Sequence, residues 1–126
     1  MADRKIKITA GSVTLTGTLN GSETSNMLWD VLPIKASASV WGDEIYFKTA
    51  VNTREAKDSQ ETVDMGAIAY WPPGNALCFF FGPTPMSAGD EIRPASGVNV
   101  MGKIDGDAKA LKKVRAGEPV VVKKGS

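Results

Sequence analysis

Apolar and polar positions alternate with period two over most of this chain, which is the mark of half-buried strands. Residues 5–10 (KIKITA) put Ile6 and Ile8 on one face. After Gly11-Ser12, residues 13–19 (VTLTGTL) alternate again with Val13 and Leu15 toward the core. Two such runs around a tight turn predict a hairpin. The period then changes: over residues 23–32, Met27, Leu28 and Val31 share one helical face, with Asn20 or Ser22 as the cap and Pro33 as the stop. Residues 34–41 (IKASASVW) and 44–48 (EIYFK), joined by Gly42-Asp43, predict a second hairpin.

Residues 49–62 are polar and without period, so they predict a long loop, and long loops in compact domains are often functional. A second irregular segment, residues 82–97, is punctuated by Pro83, Pro85, Gly89, Pro94 and Gly97. Between the two loops, residues 65–85 (MGAIAYWPPGNALCFFFGPTP) hold three of the four Phe and four of the seven Pro. This centre predicts two strands, 66–71 and 76–81, joined at Pro72-Pro73-Gly74; neither Pro can donate to a ladder. Tyr70 and Trp71 must face opposite sides, as must the sets Ala76, Cys78, Phe80 and Leu77, Phe79, Phe81. Residues 98–104 (VNVMGKI) predict a strand in which Gly102 permits a bulge or a close backbone approach. Asp107 then caps a short helix over 108–114 that stops by Gly117, and residues 119–124 (PVVVKK) form a closing strand. About eight strands and two short helices suit one mainly-β domain over residues 1–126, a closed antiparallel barrel plugged by its helices.

Composition narrows the chemistry. The 126 residues carry a formal net charge of +1, which provides no basic stripe for nucleic acid and no field toward an anionic membrane. There is no His, so the usual neutral-pH acid/base, the commonest zinc ligand and any His-containing triad are excluded. The single Cys78 excludes an internal disulfide and lies in the most apolar run, where a thiol behaves as a small hydrophobe rather than a nucleophile. No run of about 18 apolar residues exists, so the expectation is a cytoplasmic protein without a membrane span. No phosphate loop or paired carboxylates stand out, and Asp3, Asp30, Asp43 and Asp64 read as turn or surface residues. No cofactor is expected.

The last third resembles the cyclophilins: Val98-Asn99-Val100-Met101-Gly102-Lys103-Ile104, an Asp-Gly turn, a short helix and a Val-rich closing strand. Residues 70–85 (YWPPGNALCFFFGPTP) with Gly89-Asp90-Glu91-Ile92-Arg93-Pro94 look like a small, uncharacterised prokaryotic family of cyclophilin-like single domains. That resemblance implies a cyclophilin-type barrel with a cleft on one face. Cyclophilins are prolyl isomerases whose catalytic Arg hydrogen-bonds the twisting amide. Here Phe47-Lys48-Thr49 stands where the family's Phe-His-Arg would be, and the charged loop 52–61 replaces its Gln-Gly-Gly stretch. The expected function is therefore a module that binds a small molecule or peptide, through a cleft formed by Thr49, Tyr70, Trp71, Asn75, Phe80 and Arg93. The alternative is an atypical prolyl isomerase, or another enzyme, with Arg93 or Arg54 as donor. A monomer or weak homodimer is expected.

Overall fold

A computed structural model describes residues 4–125; Asp3 lies outside the described residues. Nine strands form one sheet: β1 (Arg4–Ala10), β2 (Val13–Leu19), β3 (Ile34–Ser37), β4 (Ser39–Val40), β5 (Glu44–Lys48), β6 (Ala67–Trp71), β7 (Ala76–Phe80), β8 (Asn99–Asp105) and β9 (Pro119–Lys124). Their order is β3-β9-β1-β2-β8-β6-β7-β5-β4, and each neighbouring pair is antiparallel. The expected run 34–41 is thus two strands at opposite edges of the sheet, separated by Ala38 alone. Ala38 is held beside the start of β9, its N–H donating to Glu118 O at 2.8 Å and its carbonyl accepting from Gly117 N at 2.8 Å. Beyond it the chain crosses to pair with β5, and that step nearly closes the sheet into a barrel.

The interior follows from strand parity. Ile6, Ile8, Leu19, Ile45, Phe47, Ile68, Tyr70, Leu77, Phe79, Val120 and Val122 converge there, and the Phe47 and Phe79 rings meet edge to face at 5.8 Å, a favoured aromatic geometry. Helix α1 (Glu23–Val31) begins at Ser22, whose hydroxyl accepts from Ser25 N, and ends where Leu32 turns extended before Pro33. Leu28 seats it against the barrel. The second expected helix is a 3-10 helix (Ala108–Lys113), capped by Asp107 and plugging the barrel with Ala108 and Leu111.

Gly102 serves both uses its position suggested. Ile68 pairs with Gly102 but Ala69 pairs with Val100, so Met101 is an extra residue bulged on β8, and its side chain is swallowed by the core. A Cβ on Gly102 would lie 2.2 Å from Thr18 O and 2.9 Å from Leu19 Cα, both backbone atoms that cannot step aside. At Gly17, on the neighbouring strand, the tightest contact is instead the Ile68 Cδ1 methyl at 2.7 Å. Gly102→Ala is therefore expected to destabilise by about 3 kcal/mol and Gly17→Ala by about 1 kcal/mol, measured by urea unfolding. Equal losses would contradict the backbone contact.

Candidate functional site

The sheet segment β5-β7-β6-β8 is apolar on both faces. With Leu77, Phe79 and Phe81 turned inward, Ala76, Cys78 and Phe80 are left outside, joined by Ala67, Ala69, Val63, Ile92 and Val98 in a second cluster. Burying it requires a cover, and the two irregular segments supply one. They are bonded to each other: Gln60 pairs with Val98 through N–O distances of 2.9 and 3.0 Å, and Val63 N donates to Ile92 O at 2.9 Å. The Gly82-Pro83-Thr84-Pro85 stretch anchors the cover to the β4–β5 turn. Asp43 N donates to Pro83 O at 3.0 Å, and Gly42, at φ 61°, packs so closely on Thr84 that a Cβ would lie 2.9 Å from its Cα. The buried Thr84 hydroxyl donates to Arg93 O, pinning the far end of the same loop.

The cover does not seal the whole face. A cavity of about 290 Å³ remains, lined by Trp41, Glu44, Tyr46, Trp71, Pro94, Ala95 and Val98, near the lower end of ligand-pocket sizes. Its walls are fixed from several directions. Tyr46 lies opposite Cys78 and Trp71 opposite Ala76 in the ladders, so small side chains sit between the two rings. Trp71 Nε1 donates to Ser96 Oγ at 2.7 Å, and Gly74 packs on the same ring, where a Cβ would lie 2.8 Å from it. Two larger recesses, of about 380 and 600 Å³, are lined in large part by exposed polar residues such as Lys103, Asp64, Arg54, Glu55, Lys57 and Asp58. They lack the aromatic enclosure of the smaller one.

Glu44 stands apart from the other buried polar residues. Thr24, Ser25, Thr84 and Asn99 are each hydrogen-bonded. Glu44 is only 6% exposed, and among the described residues its carboxylate accepts from no N–H or O–H donor; the Cys78 thiol lies beside it and leans toward Ala76 O at 3.8 Å. Burial pushes the Glu44 carboxyl from 4.5 up to about 7, with the thiol opposing the rise. Burial, and then the neighbouring carboxylate, push the Cys78 thiol well above its usual range, which disarms it as a nucleophile. Among the described residues no three His, Cys, Asp or Glu side chains converge as a metal site requires.

The six residues expected from sequence divide into three places. Trp71 walls the cavity, and Phe80 lies beneath the covering loops on the same outer face. Tyr70 points into the barrel, where its hydroxyl donates to Val51 O at 2.9 Å and accepts from Asn75 Nδ2 at 2.9 Å and Thr53 N at 3.3 Å. Thr49 joins this cluster, donating to Asn75 O at 3.2 Å and accepting from Val51 N at 3.1 Å. Thr49, Tyr70 and Asn75 together hold the start of the 49–62 loop to the end of the β6–β7 hairpin. Arg93 is not among the residues lining the cavity and pairs with Glu91, its Nε 2.7 Å from Oε2, and Arg54 borders the largest recess. Sequence reading passed over Trp41, Glu44 and Tyr46. Parity in EIYFK separates Glu44 and Tyr46 from Ile45 and Phe47, but only the pairing of β5 with β7 puts them beside the Phe80 face.

These features define a cyclophilin-type barrel with an aromatic cleft on its outer face. The chain belongs to the cyclophilin-like family, whose sequence pattern matches residues 4–123. It is similar to a hypothetical protein from Archaeoglobus fulgidus, known from a solution structure, with 43% identity and a TM-score of 0.82 over 98% of this chain and 95% of that one. No curated protein matches it. Among the described residues no helix is long and apolar enough to cross a membrane.

The Glu44 environment sets a pH dependence. Below pH 4.5 the carboxyl is protonated in the folded and unfolded chain alike. Between there and about 7 the folded protein keeps a proton that the unfolded chain releases, so stability falls as pH rises through that window. The chain has no His to titrate in the same range. Stability is expected to drop by about 2 kcal/mol from pH 5 to pH 8, read from urea midpoints, with Glu44→Gln removing most of the drop. A wild-type midpoint unchanged across this range would mean that the carboxylate is solvated.

Proposed function

We propose that this domain is a binding module for a small molecule, held in the cleft between Trp41, Tyr46 and Trp71. The observation that supports this best is a largely apolar hollow whose Tyr46 and Trp71 walls are held by ladder pairs and, for Trp71, by a hydrogen bond to Ser96. Preorganised walls lose little side-chain freedom when a ligand enters, so more of the contact energy appears as affinity. A volume of about 290 Å³ suits a compact ligand better than an extended peptide, which would have to displace Pro94 and Ala95. The prolyl-isomerase alternative needs a donor over the hollow. The Arg93 guanidinium is engaged by Glu91, and Arg54 borders a different recess.

The test is a titration of the 15N-labelled chain with a panel of compact fragments. Binding fragments are expected to move the indole N–H signals of Trp41 and Trp71 and the amide of Val98. Trp29, flanked by Arg4 and Lys124 at 5.3 and 4.9 Å from its ring, lies outside the cleft and is expected to stay in place. Trp71→Ala is expected to weaken such binding by about tenfold or more. Shifts confined to other surfaces, or none with any fragment, would contradict the reading. A faster isomerisation of a short proline peptide, lost in Arg93→Ala or Arg54→Ala, would establish the alternative instead.

A further inference from the structure

The cleft also carries a charge preference, and this inference rests on reading it as a small-molecule site. Glu44 lies at the cavity wall with 6% of its surface exposed, and among the described residues it forms no salt bridge. Two cations of the adjoining segments are engaged elsewhere: Arg93, next to Pro94, with Glu91 at 2.7 Å, and Lys112 with the neighbouring Asp43 at 3.7 Å. A largely buried carboxylate with only a thiol beside it is costly to ionise, and a cation arriving from the cavity would relieve that cost. An anionic ligand would be repelled by Glu44, and a purely apolar one would leave it unpaired. Three aromatic side chains border the same hollow, and aromatic faces attract cations, most strongly when water is excluded. The small residues between Tyr46 and Trp71 leave room for alkyl groups rather than for another polar shell.

We propose that the cleft takes an organic cation of the substituted-ammonium class. Its charge pairs with the Glu44 carboxylate, and its alkyl groups lie against Trp41, Tyr46 and Trp71. The chemistry is that of an aromatic cage closed on one side by an anion. Pro94 and Ala95 on the covering loop bound the opposite side and restrict the size of the alkyl groups admitted.

The experiment compares two probes of nearly the same shape, choline and the neutral 3,3-dimethyl-1-butanol, at pH 8 and constant ionic strength, following the indole signals of the 15N-labelled full chain. Choline is expected to move Trp41 and Trp71 saturably, and the alcohol to bind about tenfold or more weakly. Glu44→Gln is expected to abolish that preference by weakening choline about tenfold. The wild-type comparison stands by itself if the variant fails to fold. Equal affinity for the two probes, or a preference that survives Glu44→Gln, overturns the cation assignment. If neither probe moves the indoles while another fragment does, the cation assignment falls and the cleft remains a binding site. Silence from both probes and from every fragment overturns both readings.

Discussion

A sheet that is apolar on both faces must be covered twice, and the architecture of this protein follows from that constraint. Residues 76–80 are all buried, although alternate side chains point in opposite directions. One set is satisfied by curling the sheet, since the step through Ala38 from one edge to the other turns the inward faces of all the major strands into a single core. The other set stays outside the barrel and is excluded from water only because two irregular segments fold over it and hydrogen-bond to each other. The long loops are therefore structural before they are anything else. Their polar composition reflects backbone that must find partners without a regular ladder.

The cleft arises where this cover is incomplete. Large rings at Trp41, Tyr46 and Trp71 stand around small residues, and Pro94 and Ala95 bridge the gap without filling it. The Gly-Pro-Thr-Pro words read as a family mark are the fastening of the cover. Gly82 leaves no room for a Cβ against Asp43, Pro83 accepts from the Asp43 amide, and Thr84 ties down the Arg93 carbonyl. Glu44 immediately follows this fastened turn. Its placement in the cleft is thus enforced by backbone contacts rather than by any bond to its own carboxylate.

The hydrogen-bonded group formed by Thr49, Tyr70 and Asn75 has a different physical role. Tyr70 satisfies its phenol at the rim of the core, using the Val51 carbonyl and the amide of Asn75. Asn75 adopts φ 49°, a left-handed backbone that asparagine tolerates better than most residues. The result is a junction that fixes where the 49–62 loop departs from the sheet. A polar cluster of this kind looks like a site in sequence because its residue types are those of sites. Geometry separates the two cases: here the Thr49 and Tyr70 hydroxyls and the Asn75 side-chain N–H group find partners within the protein, whereas the Glu44 carboxylate has only a thiol beside it.

The strands, the capped helix, the opposite facing of Tyr70 and Trp71 and the likeness to the cyclophilins were all legible in the chain, because each depends on local period, turn chemistry or a short run of residues. The division of residues 34–41 between two sheet edges was not legible, since nothing in an alternating pattern says which neighbour each half will meet. The candidate site was legible only in part for the same reason. Trp71 and Phe80 announce an outer apolar face by parity, but the union of that face with Glu44 and Trp41 depends on β5 pairing with β7 and on the cover being fastened to the β4–β5 turn. Local sequence determined which way each side chain faces along its own strand. Only the tertiary structure decided which side chains share a cavity, because that depends on contacts between segments far apart in the chain.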